Sequence, residues 1–329
     1  MSELPLISIV TPSFNQAQFL EQTIRSVLGQ GTPRLEYIIV DGGSTDGSVE
    51  IIKKYAHRLA WWVSEPDTGQ AEAINKGLAR ARGGIVAWLN SDDFYLPGAL
   101  AEAVRAFQEN PQAGLIYGDV LAVDETGRTL NLLRYGGWGL AGLTEFRIIG
   151  QPSVFLRRRA LEQAGPLDTS YHYLLDHHLW LRVAQSAGMV YLPKTLAAAR
   201  YHLAAKNIAH PMEFAREIQR IAAWMPSQPA LADLLAQNRK RAEAGMHSLS
   251  AFYLVEGGQP RRALTEYGRA FTAHPPTVLR AWKRAAYALL SLTGLGRLRQ
   301  VYLSARRQRI SSRQGSHALS GRHGSRPHK

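Results

Sequence analysis

Short aliphatic and β-branched runs recur through the first third of the chain, and between them apolar residues return at helical spacing. The runs at 7–10, 37–40, 61–64, 85–89 and 115–117 predict strands, and the stretches 19–30, 48–55, 70–81 and 98–110 predict helices with Ser, Gly or Asp near their starts. Strands alternating with helices at this spacing build an open, mainly parallel sheet with helices on both faces. A strand at 153–157, a helix at 158–164 and a further helix from about 176 to 187 extend the pattern less regularly.

From residue 213 the strand signal vanishes, and Ala, Leu, Arg and Gln follow helical spacing. The expected organisation is an α/β domain over 1–212, a C-terminal α-helical extension over 213–305 and a disordered basic tail over 306–329. Within the extension, 251–275 resembles one tetratricopeptide-type hairpin. A single such unit cannot stack into a solenoid, so two helices packed on the main domain are expected. The tail carries seven Arg or Lys and no acid, with too little apolar surface to fold alone.

With 329 residues, the chain is long enough for a full core and more than one domain. It holds no cysteine, which removes disulfides, thiolate nucleophiles and cysteine-ligated zinc. The sequence has no apolar run long enough to span a bilayer and no cationic leader before its first apolar run, so a cytoplasmic protein is expected. The net charge of +13 is unevenly placed: residues 1–256 nearly balance, while 257–329 hold 15 Lys and Arg against Glu266 alone. Basicity therefore belongs to the C-terminal segment, and with no nucleic-acid-binding signature beside it, no nucleic-acid partner is expected.

Three strand ends carry chemistry. Ligands of open parallel sheets sit beyond the carboxyl ends of strands, where Thr11-Pro12-Ser13-Phe14-Asn15 follows the first run. The second run ends in Asp41-Gly42-Gly43-Ser44-Thr45-Asp46-Gly47, a turn in which glycines permit close approach and carboxylates can accept from a ribose or base. The fourth ends in Asn90-Ser91-Asp92-Asp93, neighbouring carboxylates whose repulsion a divalent cation shared with a diphosphate would relieve. The same acids serve equally as turn formers and helix caps. Neither a G-x-G-x-x-G turn nor a Walker loop is present, which argues against dinucleotide cofactors and P-loop chemistry.

Taken in order, ISIVTPSFN, IIVDGGSTDGS, SEPDTGQAEAINKGLARARG, VAWLNSDDFYLPGAL and LLDHHLWLR resemble the family 2 glycosyltransferases over roughly residues 5–205. The resemblance implies a GT-A fold and inverting transfer from a nucleoside-diphosphate sugar. Carried over position by position, Thr11, Pro12, Asn15, Asp41 and Ser44 match nucleoside-holding residues. Gln70, Asn75 and Gly77 match the helix closing over nucleotide and sugar. Asp92 and Asp93 match the end of a D-x-D type motif that binds ribose and Mg2+ or Mn2+, with Asp93 the direct ligand and Asn90 where many relatives carry an acid. Asp176 matches the general base, His202 a histidine near metal or diphosphate, and Gln151 lies toward the acceptor.

The implied partners are a nucleotide-sugar donor and a glycan or lipid-linked glycan acceptor, in polysaccharide or lipopolysaccharide assembly. A non-catalytic nucleotide-sugar or nucleic-acid binding protein is the alternative, disfavoured because all three acids remain. Residues 278–304 interleave Leu279, Trp282, Leu289, Leu290 and Leu292 with Arg280, Lys283, Arg284 and Arg297. That basic amphipathic pattern suits either a helix packed on the body or peripheral attachment to an anionic inner membrane face.

Overall fold

A computed structural model describes residues 5–292 apart from 33, 203 and 204, with only the backbone given at 207. The tail expected from 306 and the amphipathic stretch beyond 292 lie outside the described residues. Nine strands form one sheet: β1 (Ile7–Ser13), β2 (Leu35–Asp41), β3 (Trp61–Ser64), β4 (Ile85–Trp88), β5 (Phe94–Tyr95), β6 (Ala113–Val123), β7 (Thr129–Leu133), β8 (Val154–Arg157) and β9 (Gly188–Arg200). Their order is β3-β2-β1-β4-β8-β6-β9-β5, with β7 paired to β6. The β3-β2-β1-β4 half is wholly parallel, β8 runs antiparallel to both its neighbours, and β6 pairs with β9 in parallel over the longest register. This is the α/β architecture expected, a mainly parallel sheet flanked by helices.

Alternation along the strands divides the core in two. Ile7 and Ile9 of β1 join Leu20, Ile24, Tyr37, Ile39 and Phe107 on one face, while Val10 joins Ile38, Val40, Ile74 and Trp88 on the other. The helix Gln70–Arg80 lies so close to β1 that a Cβ on Gly77 would sit 2.4 Å from Val10 Cγ1. Gly77 therefore lets the helix backbone seat directly on the Val10 side chain.

Beyond the sheet run helices Pro211–Trp224, Pro229–Glu256, Pro260–Ala273, Pro275–Arg280 and Trp282–Leu292. Each of the first four begins with proline at its first turn, where no amide donor is needed. The long helix bends at Asn238, whose backbone leaves helical geometry. The helices 229–256 and 260–273 form a hairpin with their own small core of Ala244, Ala251, Leu254, Ala263, Tyr267 and Ala270. The extension is also keyed into the body: a Cβ on Gly245 would lie 1.9 Å from the Glu145 carbonyl oxygen.

Candidate active site

The parallel half of the sheet brings the ends of β1, β2 and β4 to one rim. Asn15 adopts a left-handed backbone (φ 51°), which asparagine tolerates better than most residues. Its Oδ1 accepts from Thr45 N–H at 3.0 Å, and its own N–H donates to Ser44 Oγ at 2.8 Å, lacing the first and second strand ends together. Asp46 Oδ2 adds a bond from Ala17 N–H at 2.8 Å.

Asp41 is fully buried and accepts from Gly43 N–H, Ser44 N–H, Ser44 Oγ and Ser64 Oγ at 2.6–3.1 Å. Four donors nearly saturate the carboxylate, so Asp41 holds the 42–44 turn against β3. Thr11 is also placed differently from the nucleoside-contacting side chain expected. It shares the inward parity of Ile7 and Ile9, is fully buried, and its hydroxyl lies 3.0 Å from Tyr37 Oη. Only its backbone can face a ligand. Pro12 is buried too, against the opposite face.

Asn75 is likewise occupied. Its Nδ2 donates to Leu167 O at 2.8 Å and its Oδ1 accepts from Leu167 N–H at 2.9 Å, so the amide clamps the loop before the helix Leu175–Ser186. Gln70 stays in the crevice, with Nε2 donating to Asn90 Oδ1 at 2.7 Å.

The Asn90–Asp93 turn is held from two sides. Thr23 Oγ1 lies 2.9 Å from Ser91 O and 2.7 Å from Asp93 O. From the other side, β5 pairs with β9 and delivers Arg200 and His202. The Arg200 backbone N–H donates to Asp93 Oδ1 at 2.9 Å. Its guanidinium donates to Asp92 O, Asp124 O, Glu125 O and Gln22 Oε1, and it lies 4.5 Å from the Phe19 ring centre. A buried cation with this many partners is a structural pin for the acid pair. Burial, then the charge of Asp92, pushes the Asp93 carboxyl well above the usual carboxylate range, with the Arg200 backbone bond, its charge and the Asn90 side chain opposing.

Two adjacent carboxylates at a sheet rim offer hard oxygen donors suited to Mg2+ or Mn2+. Among the described residues no group of three His, Cys, Asp or Glu side chains is arranged to hold a metal ion. His202, expected near metal or diphosphate, places Nε2 3.0 Å from Asp92 Oδ2, at the acid pair. With Nε2–H as the donor, the imidazole orients Asp92 and Nδ1 keeps its lone pair.

Across the crevice, Asp176 opens the helix Leu175–Ser186. Burial pushes its carboxyl up to about 6, and the charge of Glu217 adds to this; the His177 N–H bond of 2.7 Å and the charge of Lys206 oppose. Lys206 joins the two walls. Its Nζ donates to Gln70 Oε1 at 2.8 Å and His172 O at 3.0 Å, and it lies within charge range of Glu217, Asp92, Asp176 and Asp67. Asp67, half-buried, receives Gly69 N–H at 2.9 Å and stands where a Cβ on Gly42 would meet it at 2.8 Å.

Lys206, Glu217, Arg200 and Asp67 are functional candidates that the sequence reading passes over. Glu217, from the helical extension, is nearly buried and accepts from His172, Tyr173 and Leu174 N–H at 2.6–3.0 Å. It thereby holds the segment leading into Asp176. Glu217→Gln keeps an acceptor but removes charge; the acid limb of the pH–rate profile should move below about 6, and an unmoved limb would make Glu217 purely structural.

Gln151 reaches the same crevice, donating Nε2 to Trp88 O at 2.8 Å, while its Oε1 is buried with no partner among the described residues. His177 and His178 are structural: burial draws both down to about 4, and His178 sits between Tyr171 at 4.3 Å and Trp224 at 4.5 Å.

Comparison with known proteins agrees with this architecture. The family described as "Glycosyl transferase family 2" matches residues 8–162. An uncharacterized glycosyltransferase of Mycobacterium tuberculosis (strain CDC 1551 / Oshkosh), MT1564, is 30% identical over 190 residues, covering 56% of this chain and 71% of the relative. The PGL/p-HBAD biosynthesis glycosyltransferase of Mycobacterium bovis (strain BCG / Pasteur 1173P2) is 29% identical over 60% of this chain and 77% of its own. Among solved structures, the mannosyltransferase PcManGT from Pyrobaculum calidifontis, in complex with GDP-Man and Mn2+, superposes with a TM-score of 0.58 at 21% identity, over 93% of this chain and 86% of that one. By sequence and by fold, the chain belongs to glycosyltransferase family 2.

Proposed function

We propose that this glycosyltransferase moves a sugar from a nucleoside-diphosphate donor to a hydroxyl of a glycan or lipid-linked glycan acceptor, with inversion at the anomeric carbon. The observation that supports the reading is Lys206, which lies within charge range of both Asp92 and Asp176.

An acceptor hydroxyl is a weak nucleophile at neutral pH and needs a base to take its proton as the bond forms. Asp176 is that base: its carboxyl, raised to about 6, is ionised at neutral pH yet basic enough to accept. The anomeric carbon gains oxocarbenium character as the nucleoside diphosphate departs, and a single in-line displacement inverts it. Asp92 and Asp93 would hold Mg2+ or Mn2+, which when bound supplies Lewis-acid charge stabilisation to the leaving diphosphate. His202 steadies Asp92, Arg200 steadies Asp93, and Lys206 adds positive charge between the reacting groups. The Asn15–Ser44 lacing and Asp67 form the nucleoside end, and Gln151 Oε1 is an acceptor for a substrate hydroxyl.

The test is a panel of UDP-, GDP- and dTDP-sugars with Mn2+, followed by nucleotide release and by NMR of the product's anomeric configuration. Inversion with one donor is expected; retention would contradict the single-displacement mechanism, and no turnover or binding with any donor would contradict the reading as a whole. Lys206→Ala should raise donor KM and lower kcat, together about tenfold to a hundredfold in kcat/KM, the range for losing one charge-assisted contact. Unchanged kinetics would remove Lys206 from the site.

A further inference from the structure

The helix Trp282–Leu292 presents two apolar faces where a packed surface helix needs one. Ala285 and Ala288 turn inward to the small core of the extension, against Ala263, Tyr267, Ala270 and Val278. Roughly 100° round the helix, at i, i+4 and i+7, Trp282, Ala286 and Leu289 form a second stripe. Trp282 and Leu289 are each 58% exposed, and Leu279, just before, is 60% exposed. A tryptophan left this open covers nothing within the described residues.

Charge distinguishes this stripe from a scattered set of surface apolar groups. Lys283 Nζ lies 5.8 Å from the Trp282 ring centre, and Arg280 is exposed one turn away. From residue 267 to the end of the chain there is no acid at all, and the 37 residues after Leu292 add further Arg and Lys. Trp and Leu beside Lys and Arg, without acids, match a surface that is apolar below and anionic above. No described helix is long and apolar enough to cross a membrane.

On the side opposite the stripe, the helix packs toward the body. Arg284, on the same helix, stacks at 4.6 Å from the Phe252 ring centre and lies within charge range of Tyr201 and Tyr253. Tyr253 in turn lies within charge range of Asp176, and Tyr201 follows Arg200, the pin of Asp93. One side of this helix thus packs on the extension and Phe252 while the other faces outward.

We propose that Trp282, Leu289 and Leu279, bordered by Arg280 and Lys283, dock the enzyme on the anionic face of a lipid bilayer. A lipid-linked acceptor would then be met in two dimensions.

The experiment is co-sedimentation of the full chain with phosphatidylglycerol/phosphatidylcholine vesicles and with phosphatidylcholine alone, without donor or acceptor. Binding is expected to anionic vesicles only, weakening as salt rises. Trp282→Ser with Leu289→Ser should lower the partition coefficient about tenfold or more, the size expected from losing two buried apolar side chains. Lys283→Glu should lower it through charge alone, and neither change should alter transfer to a soluble acceptor. Equal binding by wild type and the double variant overturns the proposal, as does loss only when 293–329 are removed, or conversion of a dimer to a monomer by the double variant. Because no substrate enters the binding assay, a chain that binds vesicles but transfers no sugar sinks the catalytic reading and leaves this one standing.

Discussion

Asp176→Asn is expected to lower kcat by about 10²- to 10⁴-fold, the range for removing a positioned base, while donor affinity stays within a few fold of wild type. The split follows from the proposed role of Asp176, which acts on the acceptor and not on the donor; Lys206 lies within charge range of both Asp176 and Asp92. Wild-type transfer should rise with pH through about 6 and then level, because only the ionised carboxylate accepts a proton. Burial chiefly sets this limb; among charged groups Glu217 raises it and Lys206 lowers it, while neighbouring His177 is neutral and the Tyr135 and Tyr253 phenols nearby are protonated throughout. A carboxyl raised on folding penalises the native state above its folded pKa. The asparagine variant should therefore melt at the same temperature as wild type or higher at neutral pH, a sign that catalysis and not folding was lost. Full activity in the variant would remove Asp176 from the mechanism.

Asp93→Asn is the second large effect. Asparagine can still accept the Arg200 backbone N–H through Oδ1, so the turn should survive, while the negative charge disappears. Mn2+-dependent donor binding should fall by about two orders of magnitude or more, consistent with several kcal/mol of Lewis-acid stabilisation, and excess chelator should reproduce the loss in wild type. Calorimetric titration of donor with and without Mn2+ separates the outcomes. If Asp93 served only to shape the turn, relief of its repulsion with Asp92 would leave donor binding intact and raise the melting temperature.

The first half of the fold is legible because each parallel strand centres on a short apolar run and the helices between them carry apolar residues at helical spacing. β9 is not, since Pro193, Lys194 and the alanines at 197–199 carry little strand propensity; its long pairing with β6 stabilises it from outside the segment. The same blindness hides Arg200, whose contact with Asp93 spans 107 residues. Lys206 and Glu217 lie beyond the last motif and act only once the chain has folded back over Asp176.

Some residues within the motifs also carry structural contacts that the motifs do not announce. Thr11 has the parity of Ile7 and Ile9, so strand alternation already turns it inward. Asn75 and Gly77 sit in a recognisable motif, yet one clamps Leu167 and the other admits Val10. Motif spacing locates the crevice; it does not say which side chains bind and which brace.

The most direct test is a crystal structure of the chain with Mn2+ and an intact nucleoside-diphosphate sugar, using the Asp176→Asn variant to prevent turnover. The account predicts the ion between Asp92 or Asp93 and the diphosphate, Lys206 against the phosphates, and the anomeric carbon facing residue 176 with room for one hydroxyl. A nucleotide seated away from Asp93, or a sugar pointing away from residue 176, would contradict it.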